Sequence, residues 1–175
     1  MTLMEILKEL NSETLVSFYD DINDMEKFYV GYYICSDDEF ALFNLVTTRG
    51  YEDGLYLTAI DNIFRIDYDD LYTKKIEKLF CINNQRKIDF PNNNSELFKN
   101  IVNYSIENDY IVSIGYEDNQ ISGFVKEFYN DYIVISSVNE YGEYDGRSIV
   151  SNSIIEFLRC NSGDERNISL LNVGK

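Results

Sequence analysis

Hydrophobic positions change period along the chain, and they do so twice in the same order. At the front, Leu3, Ile6, Leu7 and Leu10 recur at helical spacing. Thr2-Leu3-Met4-Glu5 has the form of a capping box, in which the Thr and Glu side chains satisfy each other's exposed backbone amides. The period then shortens to two. Runs rich in Ile, Val, Tyr and Phe at 15–19, 28–35, 40–46, 55–58 and 63–66 predict five short strands, because such side chains suit a pleated, half-buried surface. Helical spacing returns over 69–80 with Leu71, Tyr72, Ile76 and Leu79. Asp69 and Asp70 lead that stretch, and Lys74, Lys75 and Lys78 follow them, which suits the helix dipole.

The second pass opens at Ser95, a capping residue ahead of Leu97, Phe98, Ile101, Val102 and Tyr104. Strands are expected at 110–116, 121–128, 132–138, 148–150 and 154–158. Turn chemistry separates them: Glu117-Asp118-Asn119-Gln120, Tyr129-Asn130-Asp131 and Tyr141-Gly142-Glu143-Tyr144-Asp145-Gly146.

The two passes align without a gap at an offset of 92. Gly31 falls on Gly123, Val46 on Val138, Gly50 on Gly142, Asp53 on Asp145, Gly54 on Gly146 and Ile63 on Ile155. Three glycines keep register, and glycine marks places where the backbone needs positive φ or close approach. The reading is a tandem duplication. Residues 1–82 form a first helix-plus-barrel domain with a trailing helix, and 95–175 form a second. Residues 83–94, which hold the only Pro and a run of Asn, join them.

A helix followed by five strands, with Gly31, then Asp37-Asp38, then Phe40-Ala41-Leu42-Phe43, resembles the Sm-like fold, a small SH3-type barrel. Gly123-Phe124-Val125, then Asn130-Asp131-Tyr132-Ile133-Val134-Ile135, repeats the layout with the turn shifted. The resemblance implies a mainly β protein with short helices. It would hold two tandem five-stranded barrels, each preceded by a helix, and closure would remove free sheet edges. Asp61-Asn62 and Asn152-Ser153 stand where the family carries its basic RNA-binding turn, so RNA activity does not come with the fold.

Composition narrows the chemistry. The 175 residues carry 15 Lys and Arg against 31 Asp and Glu, a formal net charge of -16. Such a chain repels nucleic-acid phosphates and anionic membrane surfaces, and it favours a partner with a basic surface. There is no His, which removes a Ser-His-Asp triad, a Cys-His dyad and any His-ligated metal. Cys35, Cys81 and Cys160 are isolated, so neither disulfide staples nor a zinc knuckle is expected. No basic leader precedes an apolar run, and the expected location is the cytoplasm.

The most distinctive chemistry lies in two corresponding segments. Tyr51, Glu52 and Asp53, and Glu143, Tyr144 and Asp145, place a tyrosine beside carboxylates at glycine-hinged tips. Tyrosine is an efficient contact residue, and carboxylates meet Lys or Arg. Asp37 and Asp38 join them as candidate partner-binding residues. The plainer alternative is that these glycines only serve hairpin geometry. Asp20-Asp21-Ile22-Asn23-Asp24-Met25-Glu26 lacks the glycine and terminal Glu of a calcium loop and reads as a solvated connection.

The expectation is a non-enzymatic acidic binding protein. It would act as an inhibitor or immunity-type protein that covers a basic surface of a toxin, nuclease or defence complex, with no cofactor and no metal. One alternative is a structural or regulatory Sm-like module that self-associates or binds peptides through barrel edges. Another is a carboxylate-dependent metal hydrolase.

Overall fold

Strand-forming residues dominate both passes, and the computed structural model shows what they build. It describes residues 3–10, 12–91, 95–117 and 119–172. Thr2 of the expected capping box, Asn92 to Asn94 of the expected linker and Asp118 of an expected turn lie outside the described residues. The chain divides into two compact units, Met1–Leu97 and Phe98–Lys175.

The first unit contains α1 (Leu3–Glu9), β1 (Leu15–Tyr19), β2 (Tyr29–Ser36), β3 (Phe40–Val46), β4 (Glu52–Ala59), β5 (Arg65–Tyr68) and α2 (Leu71–Ile82). Its strands pair antiparallel in the order β5-β1-β2-β3-β4. After α3 (Leu97–Glu107), the second unit contains β6 (Ile111–Tyr116), β7 (Asn119–Phe128), β8 (Tyr132–Val138), β9 (Tyr144–Ser151), β10 (Phe157–Cys160) and α4 (Gly163–Asn172). Its order is β10-β6-β7-β8-β9.

Mainly β with short helices is therefore correct, but the two tandem five-stranded barrels are not. Among the described residues the ten strands lie in open antiparallel sheet. β4 does not bond to β5, nor β9 to β10. Closing a barrel requires the last strand of the ladder to reach the first with a fixed stagger. β5 has only four residues, which pair with β1 along one edge, from Val16 opposite Tyr68 to Tyr19 opposite Arg65, and leave few groups on the other edge for β4. A 3-10 turn (Ile60–Asn62, and Asn152–Ile154 in the second unit) carries the chain away from β4 and β9 before the next strand begins.

The stretch expected as linker behaves as part of the first unit where it is described. The Ile88 amide donates to Asn44 Oδ1 at 2.7 Å, the Glu52 amide donates to Gln85 Oε1 at 3.1 Å, and Phe90 is buried. A buried asparagine on β3 needs partners, and this segment supplies one.

The 92-residue offset recurs in the backbone itself. β2 bulges between Tyr33 and Cys35, and β7 between Val125 and Glu127. Asp37 N donates to Phe40 O as Tyr129 N does to Tyr132 O; Ile60 N donates to Glu39 O as Asn152 N does to Asp131 O. Asp69 and Asn161, equally spaced, both have positive φ just before α2 and α4. The caps correspond too. Asp70 Oδ1 accepts from Thr73 N at 2.7 Å, and Glu165 Oε2 accepts from Ser162 N at 2.9 Å. Ser162-Gly163-Asp164-Glu165 is thus a capping box opening a helix that hydrophobic spacing alone does not announce.

The interiors differ in kind. The first is aromatic: Phe18 stacks on Phe43 at 4.0 Å, and Tyr56 lies 4.6 Å from Tyr29. On the opposite face, α2 lays Ile76 and Phe80 against Leu15, Val30, Tyr32 and Val46. The second unit buries aliphatic residues, among them Ile111, Ile114, Val125, Ile133, Ile135 and Leu158.

Candidate functional site

Each acidic, tyrosine-bearing segment grows from a five-residue loop that the sequence dictates. Thr47 N bonds to Tyr51 O at 2.8 Å, and Gly50 N bonds to Thr47 O at 2.9 Å; Asn139, Glu143 and Gly142 repeat the pair. Gly50 has φ 75 and Gly142 φ 74, a conformation that favours glycine. A Cβ on Gly50 would stand 2.6 Å from the Leu79 carbonyl carbon, and one on Gly142 2.6 Å from that of Leu171. Both loops therefore rest against the helix that follows in their own unit. Part of the glycine pattern serves geometry, as the plainer sequence reading held.

The loops are shorter than the sequence suggests. Glu52 and Asp53 already belong to β4, and Tyr144 and Asp145 to β9. The hydrophobic pattern hides these strand starts because the bulge at Asn44/Val46, and its counterpart at Ser136/Val138, shifts the register there.

From here the two copies part. In the first, Asn44 is buried on β3 and donates through Nδ2 to Glu52 Oε1 at 3.0 Å and to the Gly54 carbonyl at 2.9 Å. Glu52 also accepts from the Gly54 amide. The Glu52 carboxylate is thus spent on holding its own strand. Position 44 corresponds to Ser136, position 52 to Tyr144 and position 54 to Gly146. The second copy has neither the amide nor the carboxylate for this lock. Its Tyr144 stands 64% exposed and Tyr141 68%, against 48% for Tyr51. Glu140, Glu143 and Asp145 are exposed around them, whereas Glu52 and Asp53 are half-buried.

The strand behind the tip follows the same division. β4 is buried from Gly54 to Thr58, while β9 buries only Val150. Ile149 is 73% exposed, with Tyr129 and Tyr132 also open on the neighbouring strand and turn.

Asp37 lies in the turn between β2 and β3. Asp37 Oδ1 accepts from the amides of Glu39 at 2.9 Å and Phe40 at 2.8 Å, and Oδ2 accepts from Leu97 N at 2.7 Å. It is a turn-forming and amide-capping residue. Asp38 is exposed beside it.

Two ionisable groups are more enclosed than the sequence suggests: Asp20 is half-buried and Glu165 is buried. Tyr56 Oη donates to Asp20 Oδ2 at 2.8 Å. Burial raises the Asp20 pKa, against the lowering effect of the hydrogen bonds from Tyr56 and Thr58 and of the Lys27 charge. In the second unit, the buried Glu165 also accepts from Ser113 and Ser162 hydroxyls and lies 3.7 Å from Arg159. Arg159 Nε is buried without a hydrogen-bond partner among the described residues. These groups border a polar groove of about 710 Å³ that reaches Asp145. Nothing in the local sequence marks Asp20 as half-buried or Glu165 as buried, because their enclosure comes from residues distant in the chain, such as Tyr56 and Ser113.

Burial pushes the Cys35 thiol up to about 12 and the Cys160 thiol higher still, while Cys81 is exposed. Among the described residues, no three Cys, Asp or Glu side chains converge as a metal ligand set. Among the same residues, no helix is long and apolar enough to cross a membrane.

No family model matches the chain, and neither a curated protein nor a solved structure does.

Proposed function

We propose that the chain is a non-enzymatic acidic binding protein, and that the second unit's tip and the start of β9 form its contact face. The partner is a protein with a basic surface, of the kind a toxin, nuclease or defence complex presents; the role is inhibitory, as an immunity protein's is. One observation carries the reading. In a chain of net charge -16, Tyr141 and Tyr144 stand out from the tip among Glu140, Glu143 and Asp145, whereas in the first copy the Glu52 carboxylate is held by Asn44. Exposed tyrosine gives contact area at low entropic cost, and like-signed carboxylates select cationic partners.

The test is calorimetry of the chain with a basic nuclease or toxin encoded beside it. Affinity should fall about tenfold or more between low and physiological salt, because long-range charge attraction is screened. The pair Tyr144→Ala and Asp145→Lys should weaken binding by a similar factor, and Tyr51→Ala with Asp53→Lys should leave it unchanged. Salt-independent affinity, or equal losses from both tips, would refute this assignment.

A further inference from the structure

We propose that the outer edge of β9 accepts an extended, basic segment of the partner as an added strand. This rests on the binding role proposed above and specifies how it is carried out. β9 stands last in the second unit's strand order, and among the described residues nothing bonds to the side away from β8. In an antiparallel pair, alternate residues direct their N–H and C=O groups away from the partner strand, so an end strand offers a ready row of donors and acceptors.

End strands are ordinarily guarded by shortness, Pro, Lys or bulges. The end strand of the first unit, β5, is short at four residues, and its Arg65 pairs with Asp67 at 2.7 Å. β9 runs for eight residues, Tyr144–Ser151, with no Pro and no Lys, and its register shift falls only at the Tyr144 end. Its sequence departs from β4 in the direction an open edge requires. Leu55 and Tyr56 of β4 become Arg147 and Ser148, while β-branched Ile149 and Val150 keep the strand extended.

The chemistry of the occupant follows from the flanks. Ile149 pairs with Val134 on β8, and Tyr132 lies two residues along that strand, so an incoming strand meets apolar neighbours on that face. At the tip end it meets Glu140, Glu143 and Asp145, with Arg147 the sole basic residue of β9. A segment alternating β-branched residues with Lys or Arg satisfies both requirements. A second copy of this chain brings another sixteen negative charges and is disfavoured.

The probe is a synthetic peptide of about twelve residues alternating Val or Thr with Lys, long enough to span a typical strand. It is compared with a Glu-for-Lys version and with a version N-methylated at consecutive residues, so that both of its edges are blocked, using calorimetry and amide hydrogen exchange. The Lys peptide should bind, and alternate amides within Tyr144–Ser151 should gain protection. N-methylation removes backbone donors without altering charge, and it should weaken binding about tenfold or more, as should the Glu version. Equal binding of the N-methylated peptide, or protection confined elsewhere, overturns strand addition while leaving the charge-based role intact. Equal binding of the Glu peptide overturns the charge-based role instead. No binding of the Lys peptide, or light scattering that shows copies of the chain already paired along β9, also overturns the inference.

Discussion

Replacing Asn44 with alanine removes three hydrogen bonds from a buried site: the donations to Glu52 and to the Gly54 carbonyl, and the acceptance from Ile88. Two neutral bonds at about 1 kcal/mol each and one to a carboxylate at about 2 kcal/mol give a loss of about 4 kcal/mol for the first unit. Ser136, at the matching position of the second unit, is half-buried, and Ser136→Ala should cost under about 1 kcal/mol. Asn44→Asp sharpens the test. It keeps an acceptor for Ile88 but turns a second oxygen toward Glu52 and the Gly54 carbonyl. It should be at least as damaging as Asn44→Ala at neutral pH and recover on acidification. Urea unfolding followed by tyrosine fluorescence and far-UV circular dichroism reads these losses. Partner affinity should be unchanged in folded Asn44→Ala, because the proposed contact face belongs to the other unit. A loss below about 1 kcal/mol would refute the claim that Asn44 locks the first tip. A parallel loss of binding would refute the assignment of the contact face to the second.

Further expectations concern glycine, protonation and thiols. Gly50→Ala sets a Cβ against α2 at φ 75 and should cost more than about 2 kcal/mol, whereas Gly146→Ala, at φ 84 but in open space, should cost about 1 kcal/mol. Comparable losses in denaturant melts would contradict the close approach at Gly50. Asp20 has a folded pKa above its unfolded value, so its contribution to stability is complete below the unfolded value and fades as pH rises through the folded one. The wild type should therefore lose stability relative to Asp20→Asn as pH climbs from acid toward neutral; a relative gain over that range in pH-dependent melts would contradict the burial of the carboxyl. With a thiol reagent at mildly alkaline pH, Cys81 should react rapidly and Cys35 and Cys160 only on unfolding. Rapid modification of all three would contradict the packing around the two buried thiols.

Local chemistry fixed much of what the chain becomes. β1, β3 and β8 fall on the expected 15–19, 40–46 and 132–138, because alternating Ile, Val, Tyr and Phe between turn residues has few other uses. The offset of 92 was legible from glycines that hold positive φ or a close approach at matching positions. β4 and β9 were read too short, since Glu52, Asp53, Tyr144 and Asp145 carry turn-like chemistry and only the bulge brings them into the ladder. The closed barrels failed for a related reason: periodicity marks strands but does not say whether the two ends of a ladder, β4 and β5 or β9 and β10, pair with each other. That depends on the length and direction of β5 and β10. How far each tip opens to solvent was likewise a tertiary matter. Tyr51 and Tyr144 look alike in sequence, and they differ because Asn44 meets Glu52 and Gly54 across folded strands, while Ser136 is too short to make the same bonds.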